Sequence, residues 1–436
     1  MPQSLLPPFT ALTVAASLFL WSLSHTGAAH ARGLETTRPA KEGMSSERLL
    51  GLNALNKHYV ESGKLAGAMT MIARNGKIVH LNAAGTMASN SEQPITEDTL
   101  FRIYSMTKPI TAVALMTLYE QGEFLLSDPV SKFLPEFETM QVWTPDGLVA
   151  AKTPITVHHV LTHTAGLSYG FDPDDPVDQL YRAQSRQPAK NLAEWSKRVA
   201  KLPLKYEPGE KWHYSVASDL LGAIAEAIAQ KPFDQFLRDT IFTPLQMQDT
   251  FFNVPASEQS RFATNHRLNE QTGQLEPLPT GAPGNPAHTN VTLFLGGQGL
   301  VSTIGDYMKF AEMMRNGGKY NGVRILSPKT VNFMTQNHLA KSMPVGSAGE
   351  SPTISPRAGL PGTGFGLGFG VVTDSAASGV MASKGAYYWG GAAGTIFWID
   401  PVEEIVGIGM LQLMRSPWPY RQQMMIQTYQ ALETLQ

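Results

Sequence analysis

Apolar positions crowd every face of one stretch of this chain. From Pro109 to Leu118 the sequence Pro-Ile-Thr-Ala-Val-Ala-Leu-Met-Thr-Leu has no polar stripe wider than a threonine. A helix apolar all round belongs in a core, so a buried helix is predicted from Ser105 to about Gly122. Upstream, Ser45 to Lys64 carries the mixed spacing of an amphipathic helix, opening on Ser-x-x-Arg rather than a full capping box. Two strand-like runs follow, Ala68 to Ala73 and Lys77 to Leu81, and Asn75-Gly76 between them is a strong hairpin signal.

From Leu126 to about Ala287 the pattern changes to short helical segments separated by Pro and Gly. Examples are Val157 to His163, Leu192 to Ala200, and Ser218 to Gln230 with Leu220, Ile224 and Ile228 on one stripe. Strand patterns return late, at Phe365 to Val372, Lys384 to Trp389, Thr395 to Ile399 and Ile405 to Leu413, with Asp400-Pro401 as a turn. A last helix is predicted from Tyr420 to Leu435. Strand pairs at both ends with helices between them predict an α+β fold, its antiparallel sheet drawn from both ends of the chain. Residues 32–125 and 288–436 would form the sheet-bearing unit, and 126–287 a helical insertion domain.

Composition narrows the functional classes. The chain has 436 residues, 42% hydrophobic and 16% charged, so a large core is available. The net charge of −2, without a Lys/Arg block, gives no footprint for nucleic acid. Residues 1–31 read as a signal peptide. Phe9 to Leu23 is a short apolar run and Ala29-His30-Ala31 an A-x-A cleavage pattern, although Met1 to Pro8 lacks the usual basic residue. An exported, periplasmic protein with no stable membrane anchor after cleavage is expected. Without cysteines, neither disulfides nor a lipidated N-terminal cysteine can form.

Ser105-Met106-Thr107-Lys108 fits the S-x-x-K box, in which a serine nucleophile and a lysine base lie one helical turn apart. Positions i and i+3 share a helix face. A serine hydroxyl attacks at neutral pH only if a nearby base takes its proton, and a lysine can do so only if burial or positive neighbours lower its pKa. The apolar helix supplies burial. Against this stands the ordinary reading of four letters, a capping serine and a solvated lysine. Tyr214, in the loop Gly209 to Val216 ahead of a helix, is the leading second proton-transfer group, since a tyrosinate beside lysine could act as a base; it could equally pack under the helix start.

Two other motifs compete. Gly166-Leu167-Ser168-Tyr169-Gly170 satisfies G-x-S-x-G, but a nucleophile elbow needs a strand before it and a helix after it. A helical segment precedes Ser168 and Phe171-Asp172-Pro173-Asp174-Asp175-Pro176 follows as loop. His159 and His163 are spaced i, i+4, yet no H-E-x-x-H pattern completes a metal site, so core or capping histidines are expected. Gly297-Gln298-Gly299 lacks the third glycine and the βαβ setting of a dinucleotide loop. No cofactor or metal is expected.

Taken together, Ser105-Met106-Thr107-Lys108, Tyr214-Ser215-Val216 and Trp389-Gly390-Gly391 resemble the three ordered boxes of the serine β-lactamase-like superfamily. The Y-S-x and W-G-G forms are closest to the family VIII carboxylesterases, a branch related to class C β-lactamases. Leu161 to Leu167 and Gly297 to Ser302 are secondary matches, and together they span nearly everything after residue 40. The resemblance implies a β-lactamase-like fold and the following roles: Ser105 acylated, Lys108 its base, Tyr214 sharing proton transfer, and the N–H groups of Ser105 and Ala392 forming an oxyanion hole. Trp389, Gly390 and Gly391 would line the substrate site. Trp389 and Gly390 stand where lactamases carry Lys and Thr, and Val216 where they carry Asn. A β-lactam's carboxylate and side-chain amide thereby lose partners that an uncharged ester does not need. The expected function is hydrolysis of short- to medium-chain acyl esters, small molecules, through an acyl-enzyme. The other readings are a class C-like β-lactamase or penicillin-binding DD-peptidase, an acyltransferase, and an inactive peptidoglycan- or partner-binding relative.

Overall fold

Asn75 and Gly76 reverse the chain as their sequence predicts, Asn75 with φ 52°, and join two antiparallel strands. These are β1 (Gly67–Arg74) and β2 (Lys77–Gly85). The computed structural model describes residues 33–282, 284–340, 343 and 361–436, so the expected signal peptide lies outside the described residues. Five late strands complete one sheet: β3 (Thr363–Phe365), β4 (Gly370–Val372), β5 (Tyr387–Gly390), β6 (Ile396–Asp400) and β7 (Ile405–Leu411). The seven-stranded order is β3-β4-β5-β6-β7-β1-β2. β1 and β7 are antiparallel neighbours from Ala68↔Leu411 to Arg74↔Ile405, so both ends of the chain meet inside the sheet.

Alternation along the strands sorts side chains onto two faces. Phe397, Ile408, Met410 and Trp389 face a front core shared with helix α2 (Thr107–Glu120). Ile396, Trp398, Ile405 and Leu411 face a rear core under helix α1 (Ser46–Glu61) and the C-terminal helix, labelled α8 (Tyr420–Tyr429). α2 is buried from Thr107 to Leu118, as its uniform apolarity requires.

Between the sheet segments lie α3 (Val157–Leu161), α4 (Pro176–Ser185), α5 (Leu192–Val199), α6 (Ala217–Ala229) and α7 (Ile304–Arg315). The molecule is α+β. Among the described residues no helix is long and apolar enough to cross a membrane.

The structure departs from the pattern reading at several points. Phe365 to Val372, read as one strand, is a tight hairpin: the Gly366 N–H donates to Phe369 O at 2.8 Å. Gly368 has φ 92°, and a Cβ there would lie 2.5 Å from the Ala112 Cβ of α2, so glycine here serves a turn and a close helix contact. The 126–287 segment also contains two small hairpins, Gln141–Thr144 with Gly147–Ala150 and His266–Leu268 with Leu275–Pro277. Finally, the last helix stops at Tyr429 instead of Leu435.

Candidate active site

The chain reaches Ser105 from the short strand Phe101–Arg102, which pairs with Val301–Ser302. A single 3₁₀ turn, Tyr104–Met106, then leads into α2. Tyr104 sits at φ 43°, a left-handed conformation that costs a non-glycine residue roughly 1–3 kcal/mol. Its phenol is held at both sides, accepting from Asn265 Nδ2 at 2.7 Å and donating to Gly284 O at 2.8 Å. The strained residue thus sets the turn from which Ser105 projects.

Lys108 lies one turn further on and is 1% exposed, against 7% for Ser105. Its Nζ donates to Ser105 Oγ at 3.2 Å and to Gly297 O at 2.6 Å. Tyr214 comes from the loop before α6, is 2% exposed, and donates its hydroxyl to Ser105 Oγ at 2.8 Å. The structure therefore brings Ser105, Lys108 and Tyr214 into one buried hydrogen-bonded cluster. Aromatic faces surround the amine: Lys108 Nζ is 4.7 Å from the Tyr214 ring centroid and 5.1 Å from that of Tyr169.

Burial disfavours the charged amine and lowers the Lys108 pKa to about 7; a negative neighbour, Asp219, partly opposes this. Asp219 is itself buried on the first turn of α6, and burial raises its pKa to about 6 while Lys108 pulls it back. One residue joins the two: the Gly297 carbonyl accepts from Lys108, and its N–H donates to Asp219 Oδ1 at 2.7 Å. The Tyr169 hydroxyl points at Asp219 Oδ2 from 3.4 Å.

Asp219, Tyr169 and Gly297 are the members of this site that pattern reading misses. An acidic residue in a first helical turn looks like an ordinary dipole partner, and nothing in the spacing ties it to Lys108. Gly297 stands out in the sequence as part of a rejected dinucleotide motif and as the start of a secondary family match, and neither ties it to Lys108.

The competing motifs resolve structurally. Ser168 is fully buried, donating to Asp178 Oδ1 at 2.6 Å and accepting from the Gly170 N–H at 3.0 Å. His213 Nε2 lies 3.4 Å from the same oxygen. With its serine fully buried, this Ser, Asp and His group knits the loop to α4. His159 completes a capping box, its Nδ1 accepting from the Thr156 N–H at 3.3 Å. His163 instead bonds Ser215 Oγ through Nδ1 at 3.3 Å, with its ring 5.0 Å from that of Tyr214. Burial, reinforced by the Lys108 charge, holds the His163 pKa well below the usual range. Among the described residues no group of three or more His, Cys, Asp or Glu side chains converges as metal ligands.

Trp389, next to last in β5, lies on the front face, its ring 5.5 Å from Tyr214 and 5.4 Å from Phe365. At 1% exposure it backs Tyr214 and offers no open wall. The open aromatic surface beside the cluster belongs to Phe171, 40% exposed and stacked on Tyr169 at 5.3 Å. Gly391 closes on the serine turn: a Cβ there would lie 2.4 Å from Ile103 O. Ala392 follows, and among the described residues its N–H has no backbone acceptor.

Comparison with known proteins agrees with this architecture. The Beta-lactamase family model matches residues 52–426. "Uncharacterized protein MT1414" of Mycobacterium tuberculosis (strain CDC 1551 / Oshkosh) is 34% identical over 370 residues, 83% of this chain and 89% of that protein. Esterase EstB of Burkholderia gladioli is 29% identical over 384 residues, 84% of this chain and 90% of its own. Among solved structures, that of EstCE1, a hydrolase with promiscuous acyltransferase activity, superposes with a TM-score of 0.74 at 27% identity, covering 88% of this chain and 99% of that one. The chain belongs to the β-lactamase family and is a serine hydrolase.

Proposed function

We propose that this hydrolase is a carboxylesterase that cleaves short- to medium-chain acyl esters through an acyl-enzyme on Ser105. The observation that carries the reading is that Ser105 Oγ lies within hydrogen-bond reach of both Lys108 Nζ, at 3.2 Å, and Tyr214 OH, at 2.8 Å. A neutral lysine amine has two N–H bonds and one lone pair. With one N–H on Gly297 O, the lone pair can face Ser105 and take its proton as Oγ attacks the ester carbonyl. A Lys108 pKa of about 7 leaves roughly half of the amine neutral at neutral pH. Collapse of the tetrahedral species expels the alcohol, which needs a proton; Tyr214, also hydrogen-bonded to Oγ, would relay it from Lys108. Water then repeats the sequence on the acyl-enzyme. The N–H groups of Ser105 and Ala392 would hold the oxyanion.

Esters are favoured over β-lactams by what flanks this cluster. Trp389 occupies the position of the lactamase lysine, and its indole packs on Tyr214. Gly390 offers no hydroxyl, and Val216 no amide. A substrate carboxylate buried here without a partner would cost several kcal/mol, enough to remove orders of magnitude in rate. Likeness to Esterase EstB and EstCE1 supports the same choice. In side-by-side kinetics on the purified protein, kcat/KM for p-nitrophenyl butyrate should exceed that for nitrocefin by at least about 10². Equal or greater nitrocefin turnover would replace the esterase reading with the lactamase one.

A further inference from the structure

The turn that carries the Ala392 N–H is pinned from behind by one side chain. Strand β5 ends at Gly390 and the chain reverses through Gly391 to Thr395 before β6. Two backbone bonds close this turn: Gly391 N–H to Thr395 O at 2.8 Å and Gly394 N–H to Gly391 O at 3.0 Å. On the rear face Arg421, from the first turn of α8, reaches the same segment and is buried. Its Nε donates to Gly394 O at 3.0 Å, and its Nη2 to Thr395 O at 2.8 Å and to Gly391 O. One planar fork thus holds three carbonyls of one turn.

The flanking glycines fit this arrangement. A Cβ on Gly390 would lie 3.1 Å from Cζ and both terminal nitrogens of Arg421, so the guanidinium lies against bare backbone. Gly391 meets Ile103 O in front. The turn is therefore held between Arg421 behind and the serine-bearing segment ahead. A trans peptide unit is planar, and its C=O and N–H point in opposite directions. The Gly391 carbonyl and the Ala392 N–H belong to one such unit. With the carbonyl drawn back to Arg421, the N–H is turned forward, to the side where Ile103 and Ser105 lie.

We propose that Arg421 is a positioning residue of the oxyanion hole: by fixing the Gly391 carbonyl on the rear face it aims the Ala392 N–H at the developing oxyanion. This rests on reading Ser105 as the acylated nucleophile. Arg421 also lies on the side of the sheet away from Tyr214 and Lys108, so its effect has to travel through the peptide plane and not through contact with substrate.

The test compares p-nitrophenyl butyrate with its thionoester, in which sulfur replaces the carbonyl oxygen. Sulfur accepts hydrogen bonds poorly, so the oxygen-to-sulfur rate ratio reports how well the hole donates. For Arg421→Met, kcat/KM on the oxygen ester should fall about 10²-fold, the low end of losing one oxyanion donor. The thionoester should lose much less, so the ratio collapses, with the fall in kcat and not in KM. Arg421→Lys keeps the charge but lacks the planar fork and should recover only part of the ratio. Gly390→Ala keeps Arg421 and pushes its guanidinium aside; it should lower the ratio in the same direction and serves as the readout if the Arg421 variants do not fold. Equal losses on both esters, or a folded Arg421→Met with wild-type rates, would overturn the proposal. A wild-type protein inert to both esters would instead overturn the underlying esterase reading, and the proposal with it.

Discussion

Replacing Asp219 with Asn removes one buried negative charge beside Lys108 while keeping shape and one acceptor oxygen. The new amide oxygen can still accept from the Gly297 N–H, which now bonds Asp219 Oδ1 at 2.7 Å. The electrostatic consequence has a definite sign. Burial pushes the Lys108 pKa down to about 7, and the Asp219 charge pushes it up. Neutralising position 219 therefore lowers it further. Unit charges about 4 Å apart interact by ~4 kcal/mol at an effective dielectric of 20, and by less at larger separations, and about 1.4 kcal/mol corresponds to one pKa unit. Allowing for relaxation around the new amide, a shift of one to two units is expected as an order of magnitude. In the proposed mechanism the neutral amine is the base, so the acid limb of kcat/KM for p-nitrophenyl butyrate should move to lower pH by that amount. In the wild type the limb belongs to the coupled Lys108–Asp219 pair and not to either group alone. A complete pH–kcat/KM profile of both proteins is the assay. A limb that stays in place, moves to higher pH, or vanishes into a uniform loss at every pH would refute this account of Lys108.

Ser105→Ala should abolish ester hydrolysis while circular dichroism and thermal unfolding stay close to wild type, since only the attacking oxygen is lost; turnover near the wild-type rate would sink the assignment. Lys108→Ala and Tyr214→Phe should each lower kcat by roughly 10²–10⁴, and the double variant should lose far less than the product, because both flank one oxygen. Additive losses would place them on separate proton paths. Ser168→Ala should keep most activity yet unfold at lower urea, by about 1–3 kcal/mol, because the Gly170 N–H loses its acceptor and Asp178 a donor; a folded but dead variant would return the G-x-S-x-G reading.

Local signals carried much of the architecture. The Asn75-Gly76 hairpin, the wholly apolar α2 and the β5–β6–β7 succession are each written in a short window, where turn chemistry and side-chain period act directly. Phe365 to Val372 shows the opposite case. Its alternating glycines resemble a strand, but they are there because Gly368 must approach Ala112 of α2 and turn at positive φ. That constraint comes from a helix about 250 residues earlier in the chain, and no window contains it. The small hairpins between residues 126 and 287 were hidden for a related reason. Gln141–Thr144 fully buries only Val142, so it carries little hydrophobic period to read.

The site divides along the same physical line. Ser105 and Lys108 are visible because one helical turn enforces their proximity, and Tyr214 because its loop keeps a recognisable box. The groups that set the electrostatics are not sequence neighbours of Lys108. Asp219 arrives on α6 and Gly297 from a loop far downstream, joined only by the hydrogen bonds that the Gly297 N–H and C=O each make. Gly297 contributes no side chain at all, so its part in holding Lys108 could not be recognised from residue type. The same holds for Gly390 and Gly391. In the sequence they read as the loss of lactamase side chains, whereas in the fold they are the space that Arg421 and Ile103 occupy. A motif position that has lost a functional side chain can thus have gained a packing role, and the gain is seen only from the residue that fills the space.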